Sequence, residues 1–198
     1  MKNIFIKGTN SRLLVLLHGT GGDERSLVDL AKYIDENASV LGVKGNINEN
    51  GLNRFFRRIR PGIFDTDNLI EETKDLYDFI NDFILQNNLD KQEMIIIGYS
   101  NGANILASML YHFGKISHAA VLMHPMVPIK NFPVVNQNSN NILITSGIND
   151  SLVTNKEIAE LVNILQESGG KVTHLSFSEG HSISLPELNE IKKWYNKL

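Results

Sequence analysis

Short apolar runs alternate with longer amphipathic stretches along this chain, and the alternation predicts its architecture. LLVLLHG (13–19) is almost unbroken in its apolar residues over the length of a strand, as expected of a strand buried on both faces. IFI (4–6) reads as a short strand ahead of it. ASVLGV (38–43), EMIIIG (93–98), HAAVLMHP (118–125, stopped by Pro125), NILITSG (141–147) and KVTHLSF (171–177) read as further strands. Helical spacing fills the intervals. Leu27, Leu30, Ala31 and Ile34 recur in RSLVDLAKYID, and Leu69, Leu76, Phe79, Ile80, Phe83 and Ile84 form one stripe along NLIEETKDLYDFINDFILQNN. NGANILASMLYHFG predicts a helix ending at Gly114. TNKEIAELVNILQESGG predicts another, opened by a capping box of Thr154 with Glu157 and closed by glycines. A last helix begins near Ser184, where Glu187 repeats the capping spacing, and turns Leu188, Ile191 and Trp194 inward.

Strands alternating with helices imply right-handed βαβ units and a mostly parallel sheet covered on both faces, an α/β fold. Residues 44–67 and 126–140 break the rhythm as long Gly-, Pro- and Asn-containing connections, and connections of that length are commonly functional. No linker divides the pattern, so a single domain is expected over residues 1–198.

Composition narrows the function. The chain has 198 residues, 42% hydrophobic and 21% charged, with a formal charge of −3; this suits a soluble globular domain and gives no overall pull toward nucleic acid. There is no cysteine, which excludes disulfides, thiolate metal sites and a cysteine nucleophile. MKNIFIKGTN turns polar too soon for a secretory signal, and no apolar run approaches the roughly 20 residues that span a bilayer. A cytoplasmic protein without nucleic-acid or membrane partners is the expectation.

The chemistry gathers around IIIGYSNGANIL (95–106). Gly98-Tyr99-Ser100-Asn101-Gly102 fits G-x-S-x-G, a strained turn from strand to helix that presents a serine hydroxyl beyond the sheet. The flanking positions must be small because strand and helix approach each other closely there. An ordinary βα turn capped by Ser or Asn is the plainer alternative. A serine alcohol needs a base, and the base needs a carboxylate, in the chain order Ser, Asp, His for hydrolases built on this turn. Asp150 follows NILITSG and His181 follows KVTHLSF, both at strand ends where such a sheet keeps its site. Taken alone, Asp150 has a turn or cap residue as its plainer alternative and His181 an exposed loop histidine; together with Ser100 they have the required order. His174 lies within a strand pattern, His118 and His124 precede the acid, and His112 is helical. The oxyanion of a tetrahedral intermediate needs backbone donors, expected from Asn101 and from Thr20 in HGTGGDE, with His18 shaping that loop. The same glycines lack the third glycine of a dinucleotide loop, an acid stands where a pyrophosphate would sit, and no P-loop Lys-Ser/Thr follows.

HGTGGDE, GYSNGA, LMHPMVP, SGINDSLV and EGHSIS, in this order, resemble the phospholipase/carboxylesterase family of α/β-hydrolases over essentially the whole chain. The segment NRFFRR…GIFD is similar to the bacterial subgroup associated with hydroquinone and azo-compound resistance. The resemblance implies an α/β-hydrolase core without a separate cap domain, no cofactor or metal, and hydrolysis of an ester or thioester. Ser100 carries over as nucleophile, Asp150 as acid and His181 as base. The loop HGTGGDE departs from the His-Gly-Leu-Gly-Asp form of the acyl-protein thioesterase branch. The expected activity is a carboxylesterase acting on small esters through an acyl-enzyme. A non-catalytic binding protein on the same fold, and a thioesterase or acyltransferase, are the alternatives. Phe55, Phe56, Ile63, Phe64, Met126 and Val127 are the apolar loop residues available for an acyl wall, which a homodimer partner could extend. Arg54, Arg57, Arg58 and Arg60 form either a solvated, acid-paired face or a site for an anionic substrate group.

Overall fold

The computed structural model describes residues 1–60 and 62–198. In chain order, strands β1 (Asn3–Ile6) and β2 (Leu13–Leu17) precede helix α1 (Val28–Ile34) and strand β3 (Ser39–Val43). Four short strands follow: β4 (Ile47–Glu49), β5 (Leu52–Arg54), β6 (Arg58–Arg60) and β7 (Ile63–Phe64). Then come α2 (Thr66–Gln86), β8 (Met94–Tyr99), α3 (Asn101–Phe113), β9 (Ala119–Met123), β10 (Asn141–Gly147), α4 (Asn155–Glu167), β11 (Lys171–Phe177) and α5 (Leu185–Tyr195). The main sheet has seven strands in the order β1-β3-β2-β8-β9-β10-β11. All neighbours are parallel except β1, which runs antiparallel to β3.

Side chains alternate across the sheet as the pleat requires. Leu13, Val15, Leu17, Met94, Ile96, Ala120, Leu122, Ile142 and Ile144 enter one core, under α2, α3 and α4. Leu14, Leu16, Ile95, Ile97, Ala119, Val121, Met123 and Leu143 enter the other, under α1 and α5. Burial on both sides explains why these strands read as continuous apolar runs. Both expected capping boxes form, Thr154 with Glu157 and Ser184 with Glu187.

Three local features differ from the sequence pattern. Helix α1 is only Val28–Ile34, because Asp23 and Ser26 tie the preceding residues into a turn: Asp23 Oδ1 accepts from Arg25 N and Ser26 Oγ. Strand β9 ends at Met123, two residues before Pro125, and between them His124 takes a positive φ of 53°. The long 44–67 connection folds into two small antiparallel ladders, β4–β5 and β6–β7. Between them Phe55 and Phe56 are fully buried in the core under α2 and α3 rather than lining a substrate wall. Among the described residues no helix is long and apolar enough to cross a membrane.

Candidate active site

Ser100 sits where β8 gives way to α3, at φ 51° and ψ −110°, a backbone conformation that L-residues avoid. It occupies the helix-capping position, yet its side chain caps nothing. Bonds from Ser100 N to Met123 O (2.9 Å) and from Asn104 N to Ser100 O (2.9 Å) hold the turn. A Cβ at Gly98 would strike the Gly102 backbone, and one at Gly102 would strike the Leu17 and His18 carbonyls. Strain of this kind costs about 1–3 kcal/mol and persists only where packing enforces it. The hydroxyl is thereby directed away from the helix and out of the sheet.

Asp150 and His181 arrive on the loops after β10 and β11, whose last residues, Gly147 and Phe177, are register partners. The structure brings both to the serine. His181 Nε2 lies 2.8 Å from Ser100 Oγ, and His181 Nδ1 lies 2.7 Å from Asp150 Oδ2. Asp150 Oδ1 accepts from Leu152 N (2.8 Å) and Val153 N (3.1 Å), so all its acceptor directions are used. Burial works against its charge, but the bonds from His181 and Leu152 outweigh it and hold the carboxyl below its ordinary value. His174 faces elsewhere, bonded through Nε2 to Ser146 Oγ at 2.9 Å.

The backbone N–H groups of Thr20 and Asn101 make no protein hydrogen bond among the described residues, and both residues line the cleft over Ser100. His18 holds the first of these loops. Its Nδ1–H donates to Gly19 O (2.6 Å), while Nε2 accepts from Gly45 N (3.1 Å), an arrangement only the neutral ring can make. Burial lowers its pKa accordingly.

Several participants lie outside the sequence expectation. Tyr99 donates its hydroxyl to His181 O (3.0 Å) and its ring stacks on the imidazole at 5.8 Å. His124, almost wholly buried, bridges two buried carboxylates: its Nδ1 is 3.3 Å from Asp150 Oδ2 and its Nε2 is 3.4 Å from Glu187 Oε2. Thr145 Oγ1 donates to Glu187 Oε1 at 2.6 Å. Burial opposes a charge on His124, yet the two carboxylates prevail and raise its pKa. Glu187 is therefore more than a cap residue. It shares a helical stripe with Ile191 and Tyr195, and a carboxylate on an otherwise buried stripe was the available signal.

Ligand-type atoms of His124, Asp150 and His181 also lie within 4.8 Å of one another, the one such group among the described residues. These atoms already hydrogen-bond to each other, and a cation there would break the His181–Asp150 bond. The donor set fits a proton relay better than a metal.

The cleft above Ser100 is small, about 120 Å³. Phe64, Met126, Leu152 and Val153 are the apolar residues of its lining, and Arg54 and Arg58 the cationic ones, with Arg58 beside Phe64 as its cross-strand partner. Of the remaining apolar residues expected at the site, Ile63 and Val127 line an adjoining groove of about 450 Å³, which shares Phe64 and Met126 with the cleft.

A mostly parallel sheet, helices on both faces and, among the described residues, no separate cap domain define an α/β-hydrolase fold. The chain belongs to the phospholipase/carboxylesterase family of these hydrolases, in the bacterial subgroup of MhqD, and is an esterase-type hydrolase. It is 39% identical to "Putative hydrolase MhqD" of Bacillus subtilis (strain 168) over 197 residues, covering 100% of this chain and 98% of that protein. The crystal structure of the Bacillus cereus carboxylesterase matches with a TM-score of 0.96 at 42% identity, covering 100% of this chain and 94% of that one. YahD, solved with malic acid, matches with a TM-score of 0.93 at 33% identity, covering 99% and 98% of the two chains. No family model matches the chain.

Proposed function

We propose that the chain is a serine carboxylesterase that cleaves small carboxylic esters through an acyl-enzyme. The observation that carries this reading is the unbroken line from Ser100 Oγ to His181 Nε2 (2.8 Å) and from His181 Nδ1 to Asp150 Oδ2 (2.7 Å), opening on a cleft. His181 takes the hydroxyl proton as Ser100 attacks the ester carbonyl, and Asp150 stabilises the imidazolium that forms. The unpaired N–H groups of Thr20 and Asn101 receive the oxyanion. The protonated base then hands its proton to the departing alcohol. In the second half, His181 draws a proton from water, which attacks the acyl-enzyme and frees the acid and Ser100.

A protein retained only for binding has no use for a serine held in a left-handed turn against a base. The relatives named carboxylesterases support ester rather than thioester cleavage.

Ser100→Ala is expected to lower p-nitrophenyl acetate hydrolysis by roughly 10⁴-fold or more while leaving the circular dichroism spectrum unchanged. A serine-directed fluorophosphonate should label the parent and not the variant. Residual activity within about tenfold of the parent, as triad losses are gauged, would remove Ser100 from the mechanism.

A further inference from the structure

The four arginines of the 54–60 segment do not act as one surface. Arg57 is not in the cleft lining and pairs with Asp65 at 3.1 Å, and Arg60 is exposed. Arg54 is buried, with Nε donating to Phe56 O (3.2 Å) and Nη1 to Thr20 Oγ1 (2.7 Å). Arg58 is partly exposed and gives its Nε to Glu49 Oε2 at 2.8 Å, while the Arg54 Nε lies 3.8 Å from the same oxygen. One carboxylate therefore serves two guanidinium groups, and it does so through their Nε edges. Both Nη atoms of Arg58, and Nη2 of Arg54, have no protein partner among the described residues.

The cleft lining sharpens the imbalance. Arg54 and Arg58 belong to the wall, whereas Glu49 does not, and no Asp or Glu lines it among the described residues. Asp150 and Glu187 lie behind the wall, occupied by histidines and by backbone or hydroxyl donors. Burial, and then the charge of Arg58, push the Arg54 pKa below its ordinary value, and the attraction of Glu49 is the weaker influence. An anion between the two guanidinium groups would relieve that repulsion. A guanidinium fork is matched to a carboxylate, which it can hold through two parallel N–H bonds.

We propose that the ester cleaved at Ser100 carries a carboxylate, bound by the free guanidinium edges of Arg58 and Arg54 in the wall of the cleft. The proposal rests on the esterase reading above. The carboxylate can belong to the acyl part or to the alcohol part of the ester, and matched substrates tell the two apart.

The test compares kcat/KM within two pairs. Phenyl hexanoate against monophenyl adipate places the charge on the acyl end. Phenyl acetate against 3-acetoxybenzoate places it on the leaving group. The parent should prefer the anionic member of one pair, and Arg58→Gln should lower that anionic-to-neutral ratio about tenfold to a hundredfold, the range for a lost charged hydrogen bond. Arg58→Lys, which keeps the charge but not the fork, should fall between. If Arg58 merely holds β6 to Glu49, both members suffer together and the ratio stays put. A preference for the neutral member in both pairs, or a ratio unmoved by Arg58→Gln, overturns the proposal. Should no ester be cleaved at all, the esterase reading falls, and calorimetric titration of Ser100→Ala with the same pairs decides separately. Tighter binding of an anionic member, lost on adding Arg58→Gln, upholds the carboxylate site; equal binding removes it.

Discussion

At the scale of single residues, the site depends on how two buried carboxylates are kept compatible. Asp150 and Glu187 both face His124, and the raised pKa of His124 says the ring favours a proton there. Asn tolerates the left-handed backbone at this position, so His124→Asn removes the ring without forcing the turn. We expect kcat to fall with less change in KM, and the acid limb of the kcat/KM profile to move to higher pH, since Asp150 then faces Glu187 without an intervening cation. Adding Glu187→Gln should restore part of the loss, because the two sites are coupled.

Stability carries the same signature. The folded pKa of His124 lies above its unfolded value, so its contribution is complete below about pH 6.5 and fades as pH rises through the folded pKa. Asp150 has the opposite sign, stabilising above about pH 3.9 and losing that contribution as pH falls through its depressed value. Melting temperatures of the parent should therefore decline from pH 6 toward alkaline pH more steeply than those of His124→Asn. Parallel slopes would mean that His124 does not titrate in this window. That Ser100, Asp150 and His181 meet was readable from the sequence because chain order and strand ends constrain them. His124 and Glu187 were not, because their meeting is made by β9, β10 and α5 packing together, and no local spacing encodes that.

Elements were more legible than their edges. The long apolar runs appear as β2, β8, β9 and β10, since burial on both faces leaves little room for polar residues. Strands of two or three residues, such as β4 to β7, are too short to show a period, and their ladders escaped the sequence reading. That omission matters for specificity. Folding of the 44–67 segment takes Phe55 and Phe56 inward: Asn101 Oδ1 accepts from Phe55 N at 2.7 Å, tying the ladder to the serine turn. What remains beside Ser100 is the small cleft, bounded by Phe64 and Met126, with the larger groove beyond them. Specificity should climb over the first few acyl carbons, each methylene adding roughly 0.8 kcal/mol while wall remains, and then level off at Met126. Met126→Ala joins cleft to groove and should move the optimum toward longer chains. The measurement is kcat/KM across a p-nitrophenyl ester series, and an unchanged optimum would show that Met126 is no barrier.

Across the whole molecule, the groups of the proposed triad are distributed unevenly over the sheet. Ser100 follows β8, a central strand flanked by β2 and β9, whose core residues are buried. His181 follows β11, which ends the strand order beside β10 and whose residues are partly or largely exposed. Edge segments of this kind open with a smaller free energy than the interior of a sheet. Opening β11 would carry the imidazole away from the hydroxyl while the central strands stayed intact. Activity should consequently disappear on warming a few degrees before the far-ultraviolet signal melts, and recover on cooling from that interval. Coincident transitions would show that β11 is bound into the global cooperative unit. Where activity goes first, the upper working temperature is set by a seven-residue border strand, and the thermal resilience of the centre adds nothing to it.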